Sequence, residues 1–243
     1  MCERMLTQMP LLSSLKDVRH GFSSRHFGGA CVSRDPAVWR DVVQAVHPQW
    51  HPRNVARMEQ VHGGRVVEIS EPGGVERDVV IADGMVTTSP NIVLAVKVAD
   101  CVPILCAAPG AVGVIHAGWR GVGQDIAVKG VQKLCAVADC APSAVRVVLG
   151  PHICGRCYTV GEEVVAAIQA TGVVVDKFCR RQADTVRVDL GAAVEAQLRQ
   201  IGVSEIEHDG RCTREDDFFS YRFDQATSGR QFGFIGRLGS LDA

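Results

Sequence analysis

Short β-branched runs, each stopped by Gly, Pro or Asp, dominate the first half of this chain and mark strands bounded by turns. Six fall at 55–61, 65–69, 79–86, 92–98, 102–106 and 111–116. The period then lengthens. Over 121–138, Ala127, Val131, Leu134 and Ala138 share one helical face; over 161–170, Val164, Val165 and Ile168 do; over 189–201, Leu190, Val194, Leu198 and Ile201 do. Short strands at 145–149, 185–188 and 205–208 separate these helices, and a last strand at 231–238 closes the chain. One earlier helix is expected over 35–47, with Asp35 as N-cap and Pro36 at the first helical position. Strands come first as a block and helices mix in later. That order predicts an α+β fold, a layered α/β sandwich with mixed β-sheets flanked by helices, in a single domain over 1–243. Periodicity does not encode the order of strands within the sheets.

Composition narrows the function classes. A length of 243 residues allows one full core. The formal net charge is −1 with Lys and Arg scattered, so no field exists to hold nucleic acid or an anionic membrane surface. The N-terminal stretch lacks the apolar run of a secretory signal, and no later stretch reaches transmembrane length. A cytoplasmic protein is expected, with a monomer as the favoured state. Its ten Cys then read as thiols in a reducing compartment, with Cys106, Cys135 and Cys179 as small core residues.

Three apolar runs end on residues with metal-binding or nucleophilic chemistry. They close at Gln60-Val61-His62-Gly63, at Ala99-Asp100-Cys101 and at His116-Ala117-Gly118-Trp119-Arg120. Two His and one Cys at strand ends, too far apart in sequence for a local finger, can form a three-ligand zinc site with one position open, the catalytic form. Each of the three, taken singly, is more often an ordinary satisfied residue at a strand end than a ligand. Asp100 stands beside Cys101 as orienter of a ligand or proton carrier. Arg120, at the start of the helix expected from Gly121, is a candidate clamp for phosphate or carboxylate; the alternative is a plain strand–helix turn with a solvated Arg. Phe218-Phe219-Ser220-Tyr221-Arg222 offers a pocket floor with Arg222 reaching an anion or a base, or else a core pair beside a surface Arg. Cys154-Gly155-Arg156-Cys157 matches a redox C-x-x-C but does not open a helix, and no second C-x-x-C completes a four-cysteine zinc site.

These segments also resemble a known family. His20-Gly21-Phe22-Ser23-Ser24-Arg25, Gln60-Val61-His62-Gly63, Ala82-Asp83-Gly84, Ala99-Asp100-Cys101-Val102-Pro103 and His116-Ala117-Gly118-Trp119-Arg120-Gly121 come in one order. Gly150-Pro151, Tyr158-Thr159-Val160-Gly161, Cys212-Thr213 and Phe219-Ser220-Tyr221-Arg222 follow. Together they look like the YfiH-like, laccase-domain family of bacterial cytoplasmic proteins, from about residue 20 to the C-terminus. The resemblance implies an α/β sandwich with zinc (Zn2+) on His62, Cys101 and His116. It implies Arg25 and Gln60 as substrate contacts, and a small-molecule nucleoside and phosphate as substrates. Purine nucleoside phosphorolysis, adenosine deamination, action on methylthioadenosine, polyphenol oxidation and cleavage of a cell-wall precursor are the activities attached to that family. Thr159 and Phe223 depart from its usual residues, at positions that bear on substrate preference. Copper (Cu2+) on the same three ligands would imitate a blue-copper centre. A genuine multicopper oxidase wants His-x-His pairs, and none of the eight His here forms one. The same residues also suit a metal-free thiol hydrolase, with Cys101 as nucleophile and His116 as its base.

Overall fold

Two sheets face one another, and the sequence signal for this is the near-continuous apolar character of the central strands. The computed structural model describes residues 6–27, 36–76, 78 and 80–239. In chain order the first half gives β1 (Leu6–Thr7), α1 (Pro10–Ser13), β2 (Val18–Ser23), α2 (Pro36–Val46), β3 (Val55–Ala56), β4 (Met58–Glu59), β5 (Val66–Glu68), β6 (Val80–Ile81), β7 (Gly84–Thr87), β8 (Val93–Val98), β9 (Val102–Ala108) and β10 (Ala111–Ala117). The second half adds α3 (Trp119–Val122), α4 (Ile126–Ala138), β11 (Arg146–Leu149), β12 (Thr159–Val160), α5 (Glu162–Gln169), β13 (Cys179–Gln182), β14 (Thr185–Val188), α6 (Leu190–Gln200), β15 (Glu205–His208), α7 (Tyr221–Asp224) and β16 (Gln231–Arg237).

One sheet is ordered β1-β2-β16-β8-β3 and the other β15-β11-β9-β10-β7-β5, each mixing parallel and antiparallel pairs. Strand β9 shows why its run is apolar throughout. Ile104 and Cys106 point to the helices α4, α5 and α6, while Leu105 and Ala107 point into the space between the sheets. Strands buried on both faces lose the polar alternation of a half-exposed strand. On the outer face of the first sheet, Val93 and Ala95 of β8 meet Phe232 and Phe234 of β16 beneath Trp39 of α2. The layers are therefore helix, sheet, sheet, helices, and full burial of each large apolar side chain contributes about 1.5–3 kcal/mol. The expected α+β sandwich is the observed one. Among the described residues, no helix is long and apolar enough to cross a membrane.

Three predicted elements break where a polar residue turns inward. The strand expected over 55–61 splits into β3 and β4 at Arg57, which is buried and donates to the Val75 carbonyl at 2.6 Å. The strand expected over 79–86 splits into β6 and β7 at Asp83; Val79 itself lies outside the described residues. The helix expected over 121–138 is two helices, a single turn α3 and then α4, separated at Asp125, whose φ of 58° is left-handed. Gly123 packs so closely on Ala167 of α5 that a Cβ there would lie 3.1 Å from the Ala167 methyl. The expected N-cap Asp35 also lies outside the described residues. Strand β2 was not signalled by the apolar pattern, and is made by antiparallel pairing with β16.

Candidate active site and metal centre

Three places in the fold meet here: the turn between β4 and β5, which carries His62, the turn that joins β8 to β9, which carries Cys101, and the end of β10, which carries His116. There the ligand atoms of His62, Cys101 and His116 lie within 4.8 Å of one another. The two imidazole rings meet edge to face, 4.8 Å between centroids, and the Cys101 sulfur is in hydrogen-bonding contact with both.

Asp83 organises this trio. Fully buried, it accepts a bond from His116 Nδ1 at 2.8 Å on one oxygen, together with the His62 amide at 2.9 Å. Its other oxygen accepts the amides of Gly63 at 2.7 Å and Val61 at 3.2 Å. One carboxylate therefore fixes both histidines. It assigns the proton of His116 to Nδ1 and leaves Nε2 as the ligand atom, the arrangement metal-binding histidines adopt. It also holds the His62 backbone at φ 60°, a left-handed conformation that a non-glycine residue occupies only when its surroundings hold it there. Burial pushes the Asp83 carboxyl up, but the His116 bond and the Gly63 amide outweigh it and hold the group below its ordinary value.

In the metal-free protein the same geometry makes an ion pair. Burial pushes the Cys101 thiol up, yet the His116 charge and the bonds from both imidazoles bring it down to about 6. Burial pushes His116 down, while the Cys101 thiolate and Asp83 raise it to about 9. A soft thiolate with two imidazole nitrogens, backed by a carboxylate, fits a single zinc-like or copper-like ion.

Gly118 is part of the fit. A Cβ there would lie 2.9 Å from the His62 ring and 3.0 Å from the Cys101 sulfur. Its φ of −78° is ordinary for alanine, so Gly118→Ala strains the ligands and not the backbone. We expect that variant to fold normally and to bind metal about tenfold more weakly or worse, read by chelator competition against wild type.

The trio opens into a cavity of about 540 Å³, the size of small-molecule sites in general. Arg120, Arg222, Arg230 and Lys97 line it. The Arg120 guanidinium stacks on Trp119 at 4.3 Å, and among the described residues no carboxylate pairs with it. Arg222 stacks on Tyr158 at 5.0 Å and donates to the Thr159 carbonyl at 2.7 Å. Burial pushes the Tyr158 hydroxyl up to about 12, so it faces the cavity protonated.

The profile of the family described as multi-copper polyphenol oxidoreductase laccase matches residues 22–238. The chain belongs to this family. A relative in Deinococcus radiodurans named purine nucleoside phosphorylase is 37% identical over 183 residues, covering 74% of this chain and 69% of that one. Another in Streptomyces griseus, named purine nucleoside phosphorylase ORF3, is 36% identical and covers 88% of this chain and 89% of its own. YlmD from Geobacillus stearothermophilus has a similar structure, with a TM-score of 0.85 at 29% identity over 97% of this chain and all of that one.

Within this laccase-like framework the expected site residues separate. His62, Cys101, His116, Arg120, Gln60, Asp100 and Arg222 all border the one cavity. Arg25 does not: its guanidinium lies on the Phe219 ring at 5.0 Å and pairs with Asp224 at 3.4 Å. Arg230 lines the cavity. Gln60 spends both ends of its amide on the Lys97 backbone, at 2.7 and 3.0 Å, tying the His62 loop to β8. The Asp100 carboxylate is saturated by Thr213 Oγ1 at 2.6 Å, Ser220 Oγ at 2.7 Å and the Arg222 amide at 2.6 Å. It anchors the loop that carries Arg222, and the orienting of His116 falls to Asp83. The helix start expected as an anion cradle is only the one-turn α3, which leaves the Arg120 side chain as the charged group of that segment. Phe218 and Phe219 lie beneath Arg211 and Arg25, away from the cavity wall. Asp83 and Tyr158 fall within the family segments Ala82-Asp83-Gly84 and Tyr158-Thr159-Val160-Gly161, where residue type alone gives neither a role. The signal for Asp83 was an acid breaking the apolar run Val80-Ile81-Ala82.

Proposed function

We propose that this protein is a zinc-dependent purine nucleoside phosphorylase acting on adenosine and inosine, and on methylthioadenosine. The observation that carries the reading is the cavity itself, where Arg120, Arg222, Arg230 and Lys97 converge beside His62, Cys101 and His116. The one carboxylate on its wall among the described residues, Asp100, is already bonded to Thr213, Ser220 and a backbone amide. A cavity so charged suits inorganic phosphate together with an uncharged nucleoside. The names carried by the relatives at 36–37% identity support the same reading.

In phosphorolysis a phosphate oxygen forms a bond to C1′ of the ribose as the C1′–N9 bond breaks, and the purine leaves with that electron pair and takes up a proton. The arginines hold and orient the phosphate, which turns a two-body encounter into a positioned one. Tyr158 keeps its hydroxyl proton and donates to a heteroatom of the nucleoside. Asp83 holds His116 and His62 in register. Zinc bound on His62, Cys101 and His116 would supply a Lewis acid at the cavity's inner end.

The test is release of free base from adenosine and inosine with and without phosphate. Base and ribose 1-phosphate in equal amounts, dependent on phosphate, are expected; base release that ignores phosphate would overturn the reading. Arg120→Ala is expected to lower kcat/KM for phosphate about 10- to 100-fold, the loss of a charge-assisted bond worth about 1.5–3 kcal/mol. Inosine formed from adenosine in the same assay reports deamination as a second activity, and a copper-loaded sample reports polyphenol oxidation.

A second reading has one observation in its favour, the Cys101 thiol drawn down to about 6 by His116 and His62. That makes Cys101 a nucleophile with His116 as its proton carrier, as in a hydrolase acting on an amide such as a cell-wall precursor. Activity that survives metal removal but is lost on alkylation of Cys101 would favour it over the phosphorylase.

A further inference from the structure

The structure holds a second group of metal-type ligands, remote in sequence from the first. The sulfurs of Cys154, Cys157 and Cys212 lie within 4.8 Å of one another, and all eight described cysteines are free thiols. The C-x-x-C brings two of them together through a tight turn in which the Cys157 and Tyr158 amides both donate to the Cys154 carbonyl, at 2.9 and 3.1 Å. Cys212 comes from the segment after β15, which is joined to the first by a bridge between His152 and Cys212.

We propose that these three thiolates bind a zinc ion, in a site separate from His62, Cys101 and His116. Three features carry this. Cys212 is buried and its sulfur receives two backbone amides, from Cys154 at 3.4 Å and Arg214 at 3.5 Å. The two N–H groups fix the position of that sulfur opposite those of Cys154 and Cys157. Second, three converging sulfurs match one thiophilic cation, whereas any disulfide among them would leave an odd thiol. Third, three thiolates around a divalent ion leave a net negative charge, and the neighbourhood answers it. Cys154 opens on a cavity of about 460 Å³ lined by Arg156, Lys177, Arg180 and Arg187, with Asp189 as the one acid among the described residues that line it.

The site would act as a staple. The Ile153 amide donates to the Asp100 carbonyl at 3.0 Å, the Thr213 amide to the His152 carbonyl at 3.1 Å, and Thr213 Oγ1 to the Asp100 carboxylate at 2.6 Å. An ion on Cys154, Cys157 and Cys212 therefore joins the two segments that clasp Asp100, behind the loop that presents Cys101. This inference stands independently of the phosphorylase reading, because its readout is metal content.

The experiment is metal analysis of the full chain purified with zinc, with His62→Ala/His116→Ala and Cys154→Ser/Cys157→Ser variants beside it. About two zinc per chain are expected in wild type and about one in each variant. X-ray absorption of the His62→Ala/His116→Ala variant should show a shell of about three sulfurs near 2.3 Å. A folded His62→Ala/His116→Ala variant that holds no zinc, or holds it without that sulfur shell, would overturn the proposal. Peptide mapping of wild type guards against a variant that fails to fold. Zinc should protect Cys154, Cys157 and Cys212 from iodoacetamide, and equal alkylation with and without zinc, or a disulfide among the three in anaerobically handled protein, would also overturn it.

Discussion

Asp83→Ala is expected to be among the most damaging single substitutions in this chain, for both metal binding and stability. The side chain is fully buried and makes four bonds, to His116 Nδ1 and to the amides of Val61, His62 and Gly63. Removing it strands three amides and an imidazole at the inner end of the site. Breaking a buried charged pair from one side costs about 3–5 kcal/mol, because the partner groups lose their solvation without recompense. The His62 backbone, left-handed at φ 60°, also loses what holds it. Asp83→Asn separates the two consequences. Its volume is kept, but one acceptor becomes an NH2 group that faces an amide donor. Folding should survive at reduced stability, while metal affinity falls about 10- to 100-fold because neither histidine is aimed correctly. Chelator competition measures the metal affinity and urea unfolding the stability. Wild-type affinity in Asp83→Asn would mean that the carboxylate does not orient the ligands.

Asp83 marks what an amino-acid sequence does not display. Apolar periodicity located β9, β10, β14 and β15 within a residue or two; β9 and β10 are buried along their whole length, while β14 and β15 are mostly half-buried short strands bounded by turns. It merged β6 with β7 because a single Asp in an apolar run looks like a blemish rather than a turn. It merged β3 with β4 for the same reason at Arg57, whose burial is compensated by the Val75 carbonyl and by Asp78 at 3.5 Å. Strand β2 was invisible because Arg19, His20 and Gly21 break its alternation, and only pairing with β16 makes it a strand. The residues of the site stood out by chemical type at strand ends. Their partners did not, since Asp83 meets His116 and Thr213 meets Asp100 only through the tertiary fold. Arg25 and Arg230 show the limit most plainly. Both are Arg outside the strands and α-helices, and the packing of Phe219 and Asp224 against Arg25 keeps it from the cavity that Arg230 reaches.

Alkylation of Cys101 in metal-free protein should follow the protonation of the thiolate–imidazolium pair, and the direction of each shift fixes the profile. Cys101 is lowered to about 6 from 9.0. Its contribution to stability is present above the unfolded value and is lost as pH falls through about 6. His116 is raised to about 9 from 6.5, so its contribution is present below the unfolded value and is lost as pH rises through about 9. The pair is therefore intact between these limits. Between pH 7 and pH 5 the iodoacetamide rate at Cys101 should drop about tenfold, whereas an ordinary thiol with a pKa of about 8.5 is mostly protonated throughout and is slow at both. Metal binding has the same logic with a different sign. The ion needs the thiolate and neutral imidazole, so above about pH 6 it must displace mainly the His116 proton, and affinity should rise about tenfold per pH unit until that proton is lost near 9. Below 6 two protons are displaced and the slope steepens. Proton release measured with a weakly buffered indicator dye as zinc is added at pH 7.5 should approach about one per ion at this site. With the Cys154–Cys157 pair replaced by serine, the count belongs to His62, Cys101 and His116 alone. A value near zero would mean that His116 is already neutral, and that Asp83 stabilises its tautomer without raising its charge.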